Sequence, residues 1–312
     1  MASQKQWGQK PYYSLDYYLR EHFGQKLYKL SLNGHMTCPN RDGTIDTRGC
    51  IFCSEGGSGD FTPAMLSSIT AQIEEAKKLV AGKYHSNQYI AYFQAYTNTY
   101  APVSHLRKLY TEAVLHPDIA ALSIATRPDC LNHEVLSLLS EINRIKPVFI
   151  ELGLQTVHEE TAGLIRRGYP LSCFTEAVKA LHRLSIPVIV HLILGLPNET
   201  PAQMLESAQY MNELPVSGVK LQLMHVLKNT DLAALYEAGL YTPLTFKQYS
   251  DILLHCIGYL SERIVIHRIT GDAPKRLLLA PLWSADKKRV LNTLHKDFRE
   301  RSIWQGKYLT ED

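Results

Sequence analysis

The stretch "KLYKLSLNGHMTCPNRDGTIDTRGCIFCSEGG", residues 26–57, places three cysteines directly behind a strand-like run. Its first seven residues alternate between apolar and polar, which is the pattern of a β-strand. Cys38, Cys50 and Cys53 follow in the loop 34–57 at the spacing C-x11-C-x2-C. Half of the six cysteines thus fall within 16 residues. Such clumping is unlike a disulfide framework and indicates a thiolate-bound metal centre.

The rest of the chain alternates short apolar runs with segments of helical period. Short, nearly continuous apolar strands followed by helices are typical of consecutive βα units with a parallel sheet. Six such units predict an α/β fold of the partial (β/α)6 TIM-like barrel type. The cysteine loop follows the first strand, so it lies on the rim where βα loops gather and where such barrels carry their chemistry. The six strand-like runs are 26–32, 89–96, 119–126, 148–154, 186–197 and 218–227.

The organisation along the chain predicts one barrel with two extensions. We expect the barrel to span 26–235, with an N-terminal extension over 1–25 and a partly basic, helical C-terminal extension over 236–312. The C-terminal extension contains one more strand-like run, "RIVIHRI" (263–269).

The composition is that of an ordinary globular protein, with 45% hydrophobic residues and a net charge of +3. The chain has no apolar run long enough to span a membrane and no signal-peptide pattern, so we expect a cytoplasmic protein without membrane contact. Charge is concentrated over 275–307, with nine Lys and Arg against three Asp and Glu. That run is either a solvated helical face or a contact surface for phosphates.

Two kinds of metal centre are compatible with three cysteines. Structural zinc needs four ligands, and His35 would complete a Cys3His set. An iron–sulfur cubane held by three thiolates leaves one iron without a protein ligand, free to bind a small molecule through an amine and a carboxylate.

Further motifs resemble the radical S-adenosylmethionine (SAM) superfamily. They are Phe52 before the last cysteine, "ELGLQTVHEETAGLIRRGY" (151–169) and "HLILGLPNET" (191–200). The x11 gap departs from the common C-x3-C-x2-C, but longer gaps occur in the branch that includes the catalytic subunit of the elongator complex. The resemblance extends over about 30–230. It implies a [4Fe-4S] cluster on Cys38, Cys50 and Cys53, SAM on the open iron, and an electron donor such as flavodoxin or ferredoxin.

The resemblance also implies SAM contacts by position. The turn "QAYTNTY" after strand two lacks the glycine pair usual there. An arginine after strand four is expected near the SAM carboxylate, because a guanidinium matches both oxygens; Arg166 is the substitute for its neighbour. The alternative for each residue is a polar group satisfied inside the barrel. The implied SAM-contacting residues are Gln94, Thr97, Asn98, Thr126, Gln155, Arg167 and His191.

Three further side chains are candidates for the chemistry. Glu151 lies inside an apolar strand, so we expect it to face the barrel interior and meet a donor. His225 follows strand six and is a candidate to bind substrate or carry a proton, with a core histidine as the alternative. Cys130 is a candidate to return a hydrogen atom to a substrate radical, with a buried helix-start cysteine as the alternative.

The whole pattern, including "IATRPDCL" (124–131), resembles bacterial stand-alone proteins close to the radical SAM part of the elongator catalytic subunit. This implies a tRNA wobble-uridine substrate, with conversion of a carboxymethylaminomethyl side chain to aminomethyl. Lys287, Lys288 and Arg289 are then the predicted tRNA contacts. Two alternatives stay open: a radical SAM enzyme acting on a small molecule or peptide, and a non-enzymatic zinc-containing RNA-binding protein.

Overall fold

The computed structural model describes residues 7–57, 59, 68–83 and 87–309. The outer ends of both predicted extensions, 1–6 and 310–312, lie outside the described residues.

Strands and helices alternate over most of the described chain. The strands are β1 (Tyr28–Leu32), β2 (Tyr89–Phe93), β3 (Ile119–Thr126), β4 (Val148–Gln155), β5 (Val188–Leu194), β6 (Gly218–Leu223), β7 (Val226–Leu227), β8 (Val265–Arg268) and β9 (Leu278–Ala280). The α-helices are α1 (Leu15–Phe23), α2 (Ile69–Val80), α3 (Val103–Leu115), α4 (His133–Asn143), α5 (Glu159–Leu164), α6 (Leu171–Arg183), α7 (Pro201–Gln209), α8 (Asp231–Glu237), α9 (Phe246–Tyr259) and α10 (Lys287–Glu300).

A parallel sheet of seven strands forms the frame, in the order β1-β2-β3-β4-β5-β6-β8. The sheet is curled into a half barrel, so the predicted partial TIM-like barrel is confirmed. The six predicted units supply β1 to β6, and the C-terminal region adds β8, which pairs with β6 through Gly218 and Val265. β7 and β9 form a separate antiparallel ribbon.

The two faces of the sheet bury different groups. Side chains alternate across each strand, and one set packs with the surrounding helices in the main core, as Leu152 and Val190 do. The other set points into the barrel. Its N-terminal end is closed by a second apolar cluster, in which Leu19 of α1 packs with residues of the strand starts. α1 is held in place by its cap, since the Ser14 hydroxyl accepts a hydrogen bond from the Tyr17 N–H.

No helix in the described ranges is long and apolar enough to cross a membrane.

Candidate functional site

A cavity of about 200 Å³ lies within the half barrel, beneath the cysteine loop. It brings together most of the residues that the sequence predicts for the site. The predicted residues that line it are Cys38, Cys50, Cys53, Gln94, Thr97, Thr126, Glu151, Gln155, Arg167 and His191.

The three thiols share one wall of this cavity. A turn closes between Cys50 and Cys53, where the Cys53 N–H donates to the Cys50 carbonyl at 3.0 Å. Burial raises the pKa of Cys50 to about 12, and the neighbouring Cys53 thiol adds to the rise. A bound metal ion would deprotonate such a thiol. The Asn40 amide lies 3.6 Å from the Cys50 sulfur and donates to the Arg166 carbonyl at 2.7 Å. N–H···S contacts of this kind tune iron–sulfur centres.

The separation of the sulfur atoms distinguishes the two candidate centres. Thiolates on one tetrahedral zinc ion lie about 3.8 Å apart, since Zn–S bonds are about 2.3 Å. Within the described residues, Cys38, Cys50 and Cys53 do not form a group whose ligand atoms all lie within 4.8 Å of one another. At least one sulfur–sulfur separation therefore exceeds 4.8 Å, which is wider than a single tetrahedral zinc ion requires. His35 is exposed and does not line the cavity.

The cysteine loop is braced from within by Arg41 and is held against the turn after β2 at Gly57. Arg41 Nη2 donates to the carbonyls of Cys53 and Ser54 at 2.9 and 2.7 Å. The Tyr96 N–H donates to the Gly57 carbonyl at 2.7 Å. Gly57 must be glycine, because its φ is +54° and a Cβ there would overlap the Tyr96 ring. Tyr96 itself has a φ of 59°, so the turn after β2 reaches a left-handed conformation without a glycine pair.

The residues of this turn divide into two groups. Gln94 lines the cavity and accepts a hydrogen bond from the Ser31 hydroxyl at 3.1 Å, and Thr97 lines it as well. Asn98 is turned away: it is buried, and its amide donates to the carbonyls of Phe93 and Ala125. Asn98 thus joins the ends of β2 and β3 and does not line the cavity, contrary to the prediction.

Arg167 is buried and its guanidinium is occupied by the protein itself. It donates to the carbonyls of Tyr169 (2.9 Å), Leu154 (3.2 Å) and Thr156 (2.7 Å), and Nη2 contacts Glu159 at 3.0 Å. These contacts hold the segment after β4, so the predicted pairing with a SAM carboxylate lacks the donors it needs. The substitute, Arg166, is also engaged, donating to the Gly49 carbonyl at 2.8 Å and pairing with Asp231.

A buried charge cluster forms the floor of the cavity, with Glu151 at its centre. Glu151 accepts hydrogen bonds from Lys29 and Lys220, from the Tyr92 hydroxyl at 2.9 Å and from His191 Nε2 at 2.8 Å. Glu151 therefore faces the barrel interior and meets donors, as the sequence predicts.

The same contacts explain the ionisation of the floor. The two ammonium groups hold the pKa of Glu151 well below its usual range, against the opposing effect of burial. Burial lowers the pKa of Lys220 to about 7 and that of His191 to about 4. His191 is accordingly neutral near pH 7 and donates to Glu151.

Tyr92, Lys220 and Arg268 line this cavity but are not among the residues that the sequence predicted, and Lys29 contacts Glu151 without lining the cavity. The signal that identified Glu151, a charged residue within an apolar strand, is also present in "GVKLQL" and "IVIHRI". Applied uniformly, it identifies Lys220 and Arg268.

His225 and Cys130 do not line the cavity, contrary to their predicted roles. His225 Nε2 lies 3.0 Å from the Ser284 hydroxyl, and burial lowers its pKa to about 4, as expected of a core histidine. Cys130 lines a different cavity of about 550 Å³, which also includes Pro39, Thr44 and Ile45 of the cysteine loop. Burial raises the pKa of its thiol to about 12.

The predicted tRNA contacts lie at the start of α10. Lys287 pairs with Asp272 at 2.5 Å, whereas Lys288 and Arg289 are exposed.

Comparison with known proteins supplies the family. The model of the radical SAM superfamily matches residues 47–211, and the Radical_SAM C-terminal domain matches residues 216–300. This chain belongs to the radical SAM superfamily. It is an enzyme of that superfamily, and its cofactors are a [4Fe-4S] cluster and SAM, which excludes the non-enzymatic zinc protein. Such an enzyme also requires an electron donor.

Three relatives illustrate the similarity. YtqA of Bacillus subtilis is 42% identical over 300 residues, covering 96% of this chain and 93% of its own. The tRNA uridine(34) acetyltransferase of Dehalococcoides mccartyi is 24% identical over 184 residues, covering 57% of this chain and 39% of its own. The structure of Elp3 from Methanocaldococcus infernus has a TM-score of 0.65 at 14% identity, covering 89% of this chain and 64% of that one. This chain thus spans less than two thirds of the last two proteins.

Proposed function

We propose that this radical SAM enzyme remodels the C5 side chain of wobble uridine in tRNA, converting a carboxymethylaminomethyl group to aminomethyl. The observation that carries the proposal is the match, over 184 residues, to an enzyme named for uridine 34 of tRNA. The match covers more than half of this chain, so it extends well beyond a cysteine motif.

The cavity supports a substrate that enters as a single base. It measures about 200 Å³, which is far too small to admit a nucleic-acid helix. A wobble base would have to leave its stack to reach it, as bases do in other enzymes that act on them.

The outside of the C-terminal region supports an RNA partner. Lys288 and Arg289 are exposed at the start of α10, and Lys307 lies over the Trp304 ring at 5.1 Å. Exposed cations contribute salt-dependent affinity for phosphates without reading sequence.

The proposed conversion is balanced in atoms and electrons. When bound, the cluster and SAM supply a 5′-deoxyadenosyl radical that takes a hydrogen atom from the substrate. The hydrogen leaves the methylene between the amine and the carboxylate, and the iron–sulfur centre would accept the one further electron that this carbon must lose. Water then adds to the resulting C=N bond. The products are the aminomethyl group, glyoxylate, methionine, 5′-deoxyadenosine and one proton.

The roles of this chain's own residues follow from the site. Cys38, Cys50 and Cys53 would hold the cluster, and Gln94, Thr97, Thr126 and Gln155 line the wall beside it. The floor residues keep their charges away from bulk water, which strengthens their interaction with a bound polar group.

The test is mass spectrometry of tRNA nucleosides from cells that lack the gene. We expect carboxymethylaminomethyluridine to accumulate and aminomethyl derivatives to disappear. The wild-type gene restores them and Cys53→Ala does not, whereas Cys173→Ala, a half-buried cysteine on α6, restores them fully. An unchanged wobble-uridine profile contradicts the proposed substrate and favours the small-molecule or peptide alternative.

A further inference from the structure

Four arginines line the cavity, and three of them are engaged by the protein. Arg41 and Arg167 donate to backbone carbonyls, as described above. Arg127 donates to the Asp129 carboxylate through Nε and Nη2, at 2.9 and 2.7 Å, and to the Arg167 carbonyl at 3.0 Å. These three guanidinium groups are structural braces.

Arg268 differs from the other three. It ends β8 and lines the cavity with a third of its side chain exposed. Within the described residues its guanidinium makes an ion pair, through Nη2 to Asp272 at 3.1 Å, and no hydrogen bond to a backbone carbonyl. Most of its five N–H donors therefore have no protein acceptor among the described residues.

The floor around Arg268 carries more positive than negative charge. Lys29 and Lys220 share the single carboxylate of Glu151. Arg268 and Lys287 share the single carboxylate of Asp272. Of these groups, Lys220, Arg268 and Glu151 line the cavity, so its floor has two basic side chains against one carboxylate, and His191 adds no negative charge. An anion in the cavity would balance this excess.

We propose that Arg268, with Lys220 beside it, binds a carboxylate of the substrate at the floor of the barrel. A guanidinium matches the two oxygens of a carboxylate with parallel hydrogen bonds, and the site is partly buried, where charge-assisted bonds are strong. Lys220 lies opposite Arg268 in the sheet register, so both cations reach the same part of the cavity.

The inference rests on the proposed function for the identity of the ligand, which is then the carboxymethyl group of the uridine side chain. With its carboxylate on the floor, the side chain extends toward the rim where the cysteines lie. The methylene beside the carboxylate, from which the hydrogen atom is taken, then lies between floor and rim. The same residues would reject a side chain that lacks the carboxylate, such as the product.

The test measures binding of two anticodon stem-loops to the iron–sulfur enzyme with SAM present, without reductant. One carries carboxymethylaminomethyluridine and the other its neutral amide. We expect the wild type to bind the carboxylate form about tenfold more tightly, the scale of a hydrogen-bonded charge. Arg268→Gln removes the preference and leaves affinity for the amide unchanged, and Arg268→Lys restores part of the preference. The control is Arg107→Gln, which removes an arginine of α3 that pairs with Glu141 of α4. This variant keeps the preference.

SAM affinity, measured in the same variants, separates the two possible sources of the carboxylate. If Arg268→Gln weakens SAM binding as much as RNA binding, the carboxylate belongs to SAM and the inference is wrong. Equal affinity of the wild type for both loops overturns it as well.

A second arm distinguishes failure of the inference from failure of the proposed function. If neither loop binds better than an unmodified one, the tRNA substrate is wrong. The floor is then tested with acetate against acetamide at equal ionic strength. Acetate raises the melting temperature of the wild type but not that of Arg268→Gln if the floor binds carboxylates. No difference between acetate and acetamide overturns the inference.

Discussion

Two layers of inward side chains lie two residues apart on the same strands and have opposite chemistry. The lower layer, at the strand starts, includes Phe149 and Ile189 and is sealed by Leu19 of α1. The upper layer includes Glu151 and His191 and carries the buried charges. Residues i and i+2 share a face of a strand, so strand period alone does not separate the layers. The distance from the carboxyl end separates them: the strand starts stabilise the fold, and the later positions serve the cavity.

The largest expected effect comes from breaking the upper layer at its centre. Glu151→Gln leaves Lys29 and Lys220 without their shared carboxylate, and an uncompensated buried charge costs about 3–5 kcal/mol. The free energy of unfolding, measured by urea titration of the iron–sulfur protein without oxygen, should fall by that amount. The double variant Glu151→Gln/Lys220→Met should recover part of the loss, because one unpaired cation is gone.

Phe149→Leu provides the matched control from the lower layer. It changes only packing, so a second substitution of Lys220 should add to its effect without recovery. If Glu151→Gln unfolds within 1 kcal/mol of the wild type, the charge cluster is not a buried, coupled unit.

A smaller effect should appear in the pH dependence of stability. Burial lowers the pKa of His191 and His225 to about 4 and that of His267 well below its usual value. Below about pH 6.5 the unfolded chain binds protons that the folded chain does not. Stability therefore falls as pH decreases toward 4, by at most about 1.4 kcal/mol per pH unit for each histidine. The lowered pKa of Glu151 acts in the same direction below about 4.5.

Variants of the two layers should also differ in how strongly their stability depends on pH. Urea midpoints between pH 7 and pH 5 should show a shallower slope for His191→Gln than for the wild type. Phe149→Leu should lower all midpoints without changing the slope. A slope that is equal in all three proteins would show that His191 does not titrate on unfolding.

The sequence sufficed for those parts of the site that depend on local signals. The cysteine loop after β1 and the inward carboxylate of Glu151 were visible because each stands out within its own segment. The partners of Glu151 were not, since Lys29 and Lys220 lie 122 and 69 residues away in sequence. A lysine in an alternating strand such as "KLYKLSL" is also unremarkable until the sheet curls and brings it inside.

Other failures have equally specific causes. Arg167 lies where the sequence predicts it. Its N–H donors, however, are bound to carbonyls at the end of β4 and in the bend that follows, and no residue pattern predicts that bend. Asn98 lies beside Thr97 in sequence, yet its amide bridges two strand ends. The run 263–269 was assigned to the C-terminal extension, and in the structure it forms β8, which follows two intervening helices. β8 pairs with β6 because the sheet is curled, and this pairing places Arg268 at the cavity.

The central claim is that three thiols hold a cluster whose remaining iron accepts SAM. Electron paramagnetic resonance of the reduced, anaerobically reconstituted protein tests it directly, together with iron and sulfide analysis. The account predicts iron and sulfide in equal amounts, a spectrum that changes when SAM is added, and loss of both in Cys53→Ala. A protein that contains zinc without sulfide, or a cluster spectrum that is indifferent to SAM, would contradict the account.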